Sequence, residues 1–368
     1  MSLHVDSEIN IETLAVRVGE RLSKPCKDLQ GYAWGSHHKV FIATLADEAK
    51  VLVRIHCPAF RRPGSGSGIT PAAKMASEIA TMQLVQENTG IPVPDVFAYD
   101  PDEDGKVGGE WMVMEFVEGV ELQKAWPNMN KDQRSLVVRS IADVWAQLLK
   151  LRFSSIGSIW DDGKGGFRVG PMTFMPSNNF FAVAPPDPEK CGPFDSPRRW
   201  LLAMAEGDLK YQLSLKANSL QLQYKNTAMQ RIAFDGVVPE ERDDDMSTIA
   251  LEHGDMNCSN ILLDAANPVI IKSVIDWEGT RTAPLWAIQP RPFDHIDEEA
   301  MSSQEKQLYQ RLFRAHVGQQ VPAWLAATGE PGKQLRQYLV LAQLSNVADP
   351  LEDFERTDKW MQGVDFDV

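Results

Sequence analysis

The run EWMVMEFVEG, residues 110–119, divides the chain into two parts of different character. Upstream, apolar runs are short and bounded by Gly, Pro and polar turns, as strands are. Downstream, apolar residues recur at helical spacing over longer stretches. A chain built this way is expected to form a small mixed lobe, 1–118, and a larger, mostly helical one, 119–368. Its length agrees, since 368 residues hold two or so cores at roughly 150 residues each. The expected fold class is α+β.

The upstream part opens on a helix pattern, Ile9 to Leu22, with Leu14, Val18 and Leu22 four apart. GYAWGSHHKVFIATL, 31–45, gives a glycine-bearing turn leading into a strand. KVLVRI is its hairpin partner through Ala46, Asp47 and Glu48. RRPGSGSGITP, 61–71, has the composition of a flexible loop, with Arg61 and Arg62 solvated. A helix follows over 72–87, with Met75, Ile79, Met82 and Gln86 along one side. VPDVFAYD and EWMVMEFVEG supply two more strands. Gly31 to Val117 thus reads strand, strand, helix, strand, strand.

Downstream, Lys131 to Arg152 is a long helix with Leu136, Ile141, Val144, Trp145 and Leu148 as core candidates. Residues 163–197 read as loops and short strands, and 197–224 as helix. EERDDD, 240–245, reads as a solvated turn. The tail from Glu305 is helical, with turns at Pro322 and Pro331.

A hydrophobic content of 43% and a charged content of 24% describe a soluble globular chain. The formal charge of −14 argues against a nucleic-acid partner. It leaves room for an anionic cosubstrate in one basic or metal-loaded pocket. The four cysteines are widely spaced and form no C-x-x-C, so neither disulfides nor structural zinc are expected. The setting expected is reducing and cytoplasmic. MSLHVDSEINIET lacks the apolar core of a signal peptide, and no run suits a membrane span.

The chemistry concentrates in LEHGDMNCSNILLD, 251–264, and VIIKSVIDWEG, 269–279. Asp255 and Asn260 lie across one polar turn, and Asp276 ends the next apolar run. One carboxylate can take a proton from a hydroxyl. A second carboxylate and an amide oxygen can ligate Mg2+, which favours oxygen donors and phosphates. Taken singly, Asp255 could cap a turn and Asn260 could bond local backbone.

HGDMNCSN and IDWE resemble the catalytic loop and second metal motif of the aminoglycoside phosphotransferase and choline kinase family, which has the protein-kinase-like fold. FSSIGSIW, GPFDSPRRWL and the PLW at 284–286 resemble a fungal-type branch of it, and the likeness covers roughly 28–297. The resemblance implies a bilobal fold and ATP- and Mg2+-dependent transfer of a phosphoryl group to a hydroxyl of a small molecule. It implies Asp255 as base, His253 as organiser of the loop, and Asn260 and Asp276 as Mg2+ ligands. It places Arg54, paired with Glu78, at the nonreacting phosphates. The family pattern has lysine there, and a planar guanidinium is not equivalent to an ammonium.

GYAWGSHHKV resembles the phosphate loop in outline, through Gly31, Gly35 and Ser36, with a plain hairpin turn as the alternative. It is not a Walker sequence. Met114, Glu115, Phe116 and Val117 resemble the hinge that meets adenine. Trp277 reads as packing and Glu278 as an additional acid. The acceptor is expected near 157–160 and 194–211, where acids and Trp160 or Trp200 suit an amine or quaternary ammonium compound. The alternative function is a kinase-like nucleotide-binding or regulatory protein with little transfer, motivated by Arg54 and the degenerate glycine loop. Protein-kinase activity fits less well, because the chain has HGD and IDWE rather than HRD and DFG.

Overall fold

The computed structural model describes residues 9–35, 38–56, 69–173, 190–214, 246 and 248–343. Ser36, Arg61, Arg62 and the acidic run 240–245 lie outside these residues.

Helix α1 (Ile11–Leu22) starts at Asn10, whose side-chain oxygen accepts from the Thr13 N–H at 3.0 Å. Leu14 and Val18 bury its apolar stripe against a five-stranded sheet. The strands are β1 (Cys26–Trp34), β2 (His38–Leu45), β3 (Lys50–His56), β4 (Val96–Asp100) and β5 (Trp111–Glu115). They are antiparallel in the order β1-β2-β3-β5-β4. The predicted β2–β3 hairpin is present, and Glu48 turns it with φ 65°. In β2 each buried residue alternates with a half-buried one, so its face is legible as period two.

β1 was not foreseen. It is an edge strand, largely exposed, and its register shifts between Cys26 and Asp28 and again between Gly31 and Ala33. Such bulges erase the alternation that would have announced it.

Helix α2 (Pro71–Asn88) begins at Thr70, whose hydroxyl accepts from the Ala73 N–H. Met75 and Ile79 pack on Met112 of β5. Met82, Leu84 and Val85 instead join the core of the second lobe. Ser77 adds a hydrogen bond from its hydroxyl to the Ile159 carbonyl, 2.7 Å away in β7 (Ser158–Asp161). One apolar cluster therefore runs from α2 across residue 118 into the helical lobe.

That lobe begins with β6 (Val120–Glu121), α3 (Leu122–Ala125) and α4 (Lys131–Lys150). An Asn130–Gln133 capping box starts α4. Ile141, Val144, Trp145 and Leu148 are core, as expected. Leu136 is 52% exposed, because Val137 and Val138 take the inward positions of that turn. β8 (Phe167–Gly170) pairs with β7, and α5 (Pro197–Ser214) follows. β9 (Ile249–Glu252) pairs with β12 (Arg281–Pro284), while β10 (Ile261–Leu263) pairs with β11 (Ile271–Val274) and β6. The chain then forms α6 (Ser303–Gln320), α7 (Pro322–Ala327) and α8 (Glu330–Gln343). Pro322 and Pro331 stand in first turns, where a missing N–H costs nothing. No helix among the described residues is long and apolar enough to cross a membrane.

Candidate active site

Two short antiparallel pairs build the site. β9 leads into the turn 253–260, and β11 leads into 275–280. Because β10 pairs with β11 and β12 with β9, the two turns come together. The Ile275 N–H donates to the Asn260 carbonyl at 3.0 Å, and Thr280 Oγ1 donates to the His253 carbonyl at 3.2 Å. Gly254 makes the close approach possible. Its φ is +80°, and a Cβ there would meet the Gly279 carbonyl oxygen at 2.9 Å. Gly254→Ala is therefore expected to destabilise the fold by about 1–3 kcal/mol. A urea denaturation midpoint equal to wild type would contradict this contact.

The Asp255 backbone N–H donates to the His253 carbonyl at 2.9 Å. Its carboxylate is directed by two amides. Asn257 Nδ2 donates to Oδ1 at 2.9 Å, and Asn260 Nδ2 approaches Oδ2 at 3.4 Å while bonding the Asp255 carbonyl at 2.8 Å. Asn257 is itself fixed, because its Oδ1 accepts from the Ser259 N–H at 2.8 Å. Asn257 is not among the site residues expected from sequence; its position two after an acid in a polar turn is the available signal.

His253 is fully buried, with its ring 4.5 Å from that of Trp277. Burial pushes its pKa down to about 3, against raising contributions from the backbone of Ile275 and of His253 itself. The ring is neutral at physiological pH, and its Nδ1 lies 3.3 Å from the Asp255 N–H. Trp277 donates from Nε1 to the Val274 carbonyl at 2.9 Å, so it packs, as expected.

Arg54, on β3, is brought between two turns and a helix. One guanidinium nitrogen bonds the Glu78 carboxylate of α2, and the other lies 3.6 Å from Asp276 Oδ1. Burial works against the Arg54 charge, but Glu78, Asp276 and Glu278 outweigh it and raise its pKa. Asp276 adopts φ 63°, a conformation few side chains accept. Its side chain keeps 43% exposure towards the cleft. The surrounding walls still desolvate it and push its carboxyl up to about 6, with Arg54 opposing and Glu78 and Asp255 adding. Burial and Glu78 also raise Glu278, whose Oε2 is 3.5 Å from His38 Nδ1.

Arg54, Asp255, Asn260, Asp276 and Glu278 line one cleft of about 1630 Å3, open to solvent, between the sheet and the helical lobe. Its walls include Gly35, Arg54, Asp255, Asn260 and Asp276, together with Met114, Glu115, Phe116 and Val117. Val40, Leu52, Leu262 and Ile275 give it an apolar interior. Gly31 lies in β1 opposite Phe41, outside the lining. Asn260 and Asp276 present hard oxygen donors to this cleft, which suits Mg2+. Among the described residues no three His, Cys, Asp or Glu side chains form a metal centre alone. An ion that keeps waters and phosphate oxygens needs only one or two carboxylates.

A second pocket of about 770 Å3 opens beside Asp255, lined by Trp145, Glu252, Asn257, Gln289, Arg291, Asp294 and His295 among others. The expected acceptor surface lies elsewhere. Trp200 is fully buried beneath Arg281, 5.5 Å above its ring, and Trp160 spends its N–H on the Pro171 carbonyl. Trp200 therefore offers no open aromatic face.

The family model of the phosphotransferase enzyme family matches residues 28–287, more than half of the chain. The chain belongs to this family. A subtelomeric hrmA-associated cluster protein of Aspergillus fumigatus is 26% identical over 331 residues, covering 76% of this chain and 63% of that protein. The chain thus spans less than two thirds of that relative's length. The mitochondrial protein named altered inheritance of mitochondria 9, from Meyerozyma guilliermondii, is 27% identical over 164 residues, 44% of this chain and 26% of that one. An aminoglycoside phosphotransferase solved with streptomycin and ATP matches with TM-score 0.54 and 11% identity, covering 98% and 99% of the two chains. Another, bound to ADP, matches with TM-score 0.52 and 12% identity over 98% of each. At such identities the likeness shows the fold alone, which is the bilobal protein-kinase-like one.

Proposed function

We propose that this chain transfers the γ-phosphoryl group of ATP to a hydroxyl of a small molecule, with Mg2+. The observation that carries the reading is the meeting of Arg54, Asp255, Asn260 and Asp276 on one cleft, with Glu78 bonded to Arg54. Asp255, aimed by Asn257 and Asn260, orients the acceptor hydroxyl and receives its proton. His253 stays neutral and braces the turn. Asn260 and Asp276 hold Mg2+, which when bound offsets charge on the phosphates. Arg54, kept straight by Glu78, holds the nonreacting phosphates. Met114 to Val117 meet the adenine, and Gly35 borders the phosphates. The ATP and ADP of the two solved structures support this choice of nucleotide.

Catalysis in this scheme is positioning and electrostatics. Turnover of ATP with a hydroxyl metabolite panel is expected to vanish in excess EDTA and return with Mg2+. Turnover that persists in EDTA would sink the metal assignment. A second reading, a nucleotide-binding regulator, is favoured by Arg54 in the lysine position and by the degenerate glycine loop. Mg2+-dependent ATP binding with no transfer to any acceptor would support it.

A further inference from the structure

On the phosphotransfer reading of Asp255, on which this rests, we infer that the acceptor is an uncharged polyhydroxy compound rather than an amine. The acceptor enters the pocket beside Asp255, whose carboxylates are already matched by cations. Glu252 Oε2 accepts from Arg281 Nε at 2.6 Å. Only 12% of the Glu252 side chain is exposed, and Arg281 is held over the Trp200 ring. Asp294 is covered on both oxygens, by Lys306 Nζ at 3.5 Å and Arg291 Nη1 at 4.0 Å. Three cations therefore stand on two carboxylates.

The remaining acid is Asp255, which the reaction itself requires. Asp297, Glu298 and Glu299 follow in the chain, but they do not line the pocket. An ammonium entering here would give up water with no uncommitted carboxylate among the described lining residues to replace it. It would also meet the like charge of Arg291, which lines the pocket. Hydroxyls face no such cost. They donate to the outer lone pairs of the carboxylates and accept from Asn257, Gln289 and Arg291. The acids lining this pocket thus do not by themselves favour an amine, because cations stand on them. The amine or quaternary ammonium expected from sequence gives way to a sugar or cyclitol.

The test is a ligand-observed NMR titration of the full chain. Glucose, ribose and scyllo-inositol are each compared with the analogue in which one hydroxyl is replaced by an ammonium. Saturable binding is expected for at least one pair, with the hydroxyl form roughly fivefold tighter. An R291Q/K306M variant, which bares Asp294, is expected to narrow or invert that ratio by about the same factor. R291Q alone, at a half-exposed position, serves if the double variant melts early. Tighter amine binding by wild type, no saturable neutral ligand, or an unchanged ratio in the variants would overturn the inference. Mg2+-dependent hydrolysis of ATP in the same samples reads the other question separately. If it is absent while sugars bind, the phosphotransfer reading falls alone. If it is present while amines bind best, the acceptor class falls alone.

Discussion

Asp255→Asn is expected to lower acceptor-dependent phosphoryl transfer by roughly 10²–10⁴-fold while ATP affinity stays close to wild type. The substitution keeps size and shape, so the turn should survive. It removes the atom that accepts the hydroxyl proton and leaves an amide that serves at most as a weak acceptor. Asn257 Nδ2 and Asn260 Nδ2 both point at this carboxylate. Two donors facing an amide cannot both be satisfied if its NH2 turns towards them, so the replacement also loses its aim. The nucleotide contacts proposed for Arg54, Asp276 and Met114 to Val117 are untouched. Steady-state transfer and nucleotide titration together check this. Equal transfer in the variant would remove Asp255 from its role, while a parallel loss of ATP binding would show a collapsed turn instead.

What the residues alone disclosed follows from where local pattern and tertiary contact agree. β2 alternates regularly and α4 buries one side, so their periods are visible in sequence. β1 buries almost nothing and carries two irregularities, so its pairing with β2 has no local signature. Leu136 shows the converse, since its helical spacing is apolar but the neighbouring valines hold the inward positions. The placing of Asp255, Asn260 and Asp276 near one another is inferable because two turns flank the short β10–β11 hairpin that connects them. The pocket beside Asp255 was not. Its lining comes from Trp145, Glu252 and 289–295, segments far apart in sequence, of which α4 and β9 pack together. Charge compensation is still harder to read, because Arg281 reaches Glu252 across a strand pair and Lys306 reaches Asp294 from α6. Composition records the acids but not what stands beside them.

The largest stability effects are expected at the Arg54–Glu78 pair. Both side chains are buried, and the Glu78 side chain is 2% exposed. Removing either one strands a charge, at a cost of about 3–5 kcal/mol. Glu78→Ala should be the milder single change, because Arg54 keeps Asp276 at 3.6 Å and the attraction of Glu278. Arg54→Met should be worse, since it leaves Glu78 near Asp276 and Glu278 with the shared cation gone. The double change R54M/E78L removes both charges and should cost less than either single change, though Asp276 and Glu278 then lose a cation too. Urea unfolding without nucleotide measures the cycle. Additive costs would show that the pair is not a unit.

The double variant should also fold yet turn over no ATP, which separates the pair's structural role from its phosphate contact. Arg54→Lys addresses the departure from the family pattern directly. A single ammonium bonds Glu78 or approaches Asp276, but lacks the fork that reaches both carboxylates at once. Transfer that is retained or raised in Arg54→Lys would mean the guanidinium chiefly holds the two carboxylates together. Transfer that is lost would mean that this cleft is built around the fork.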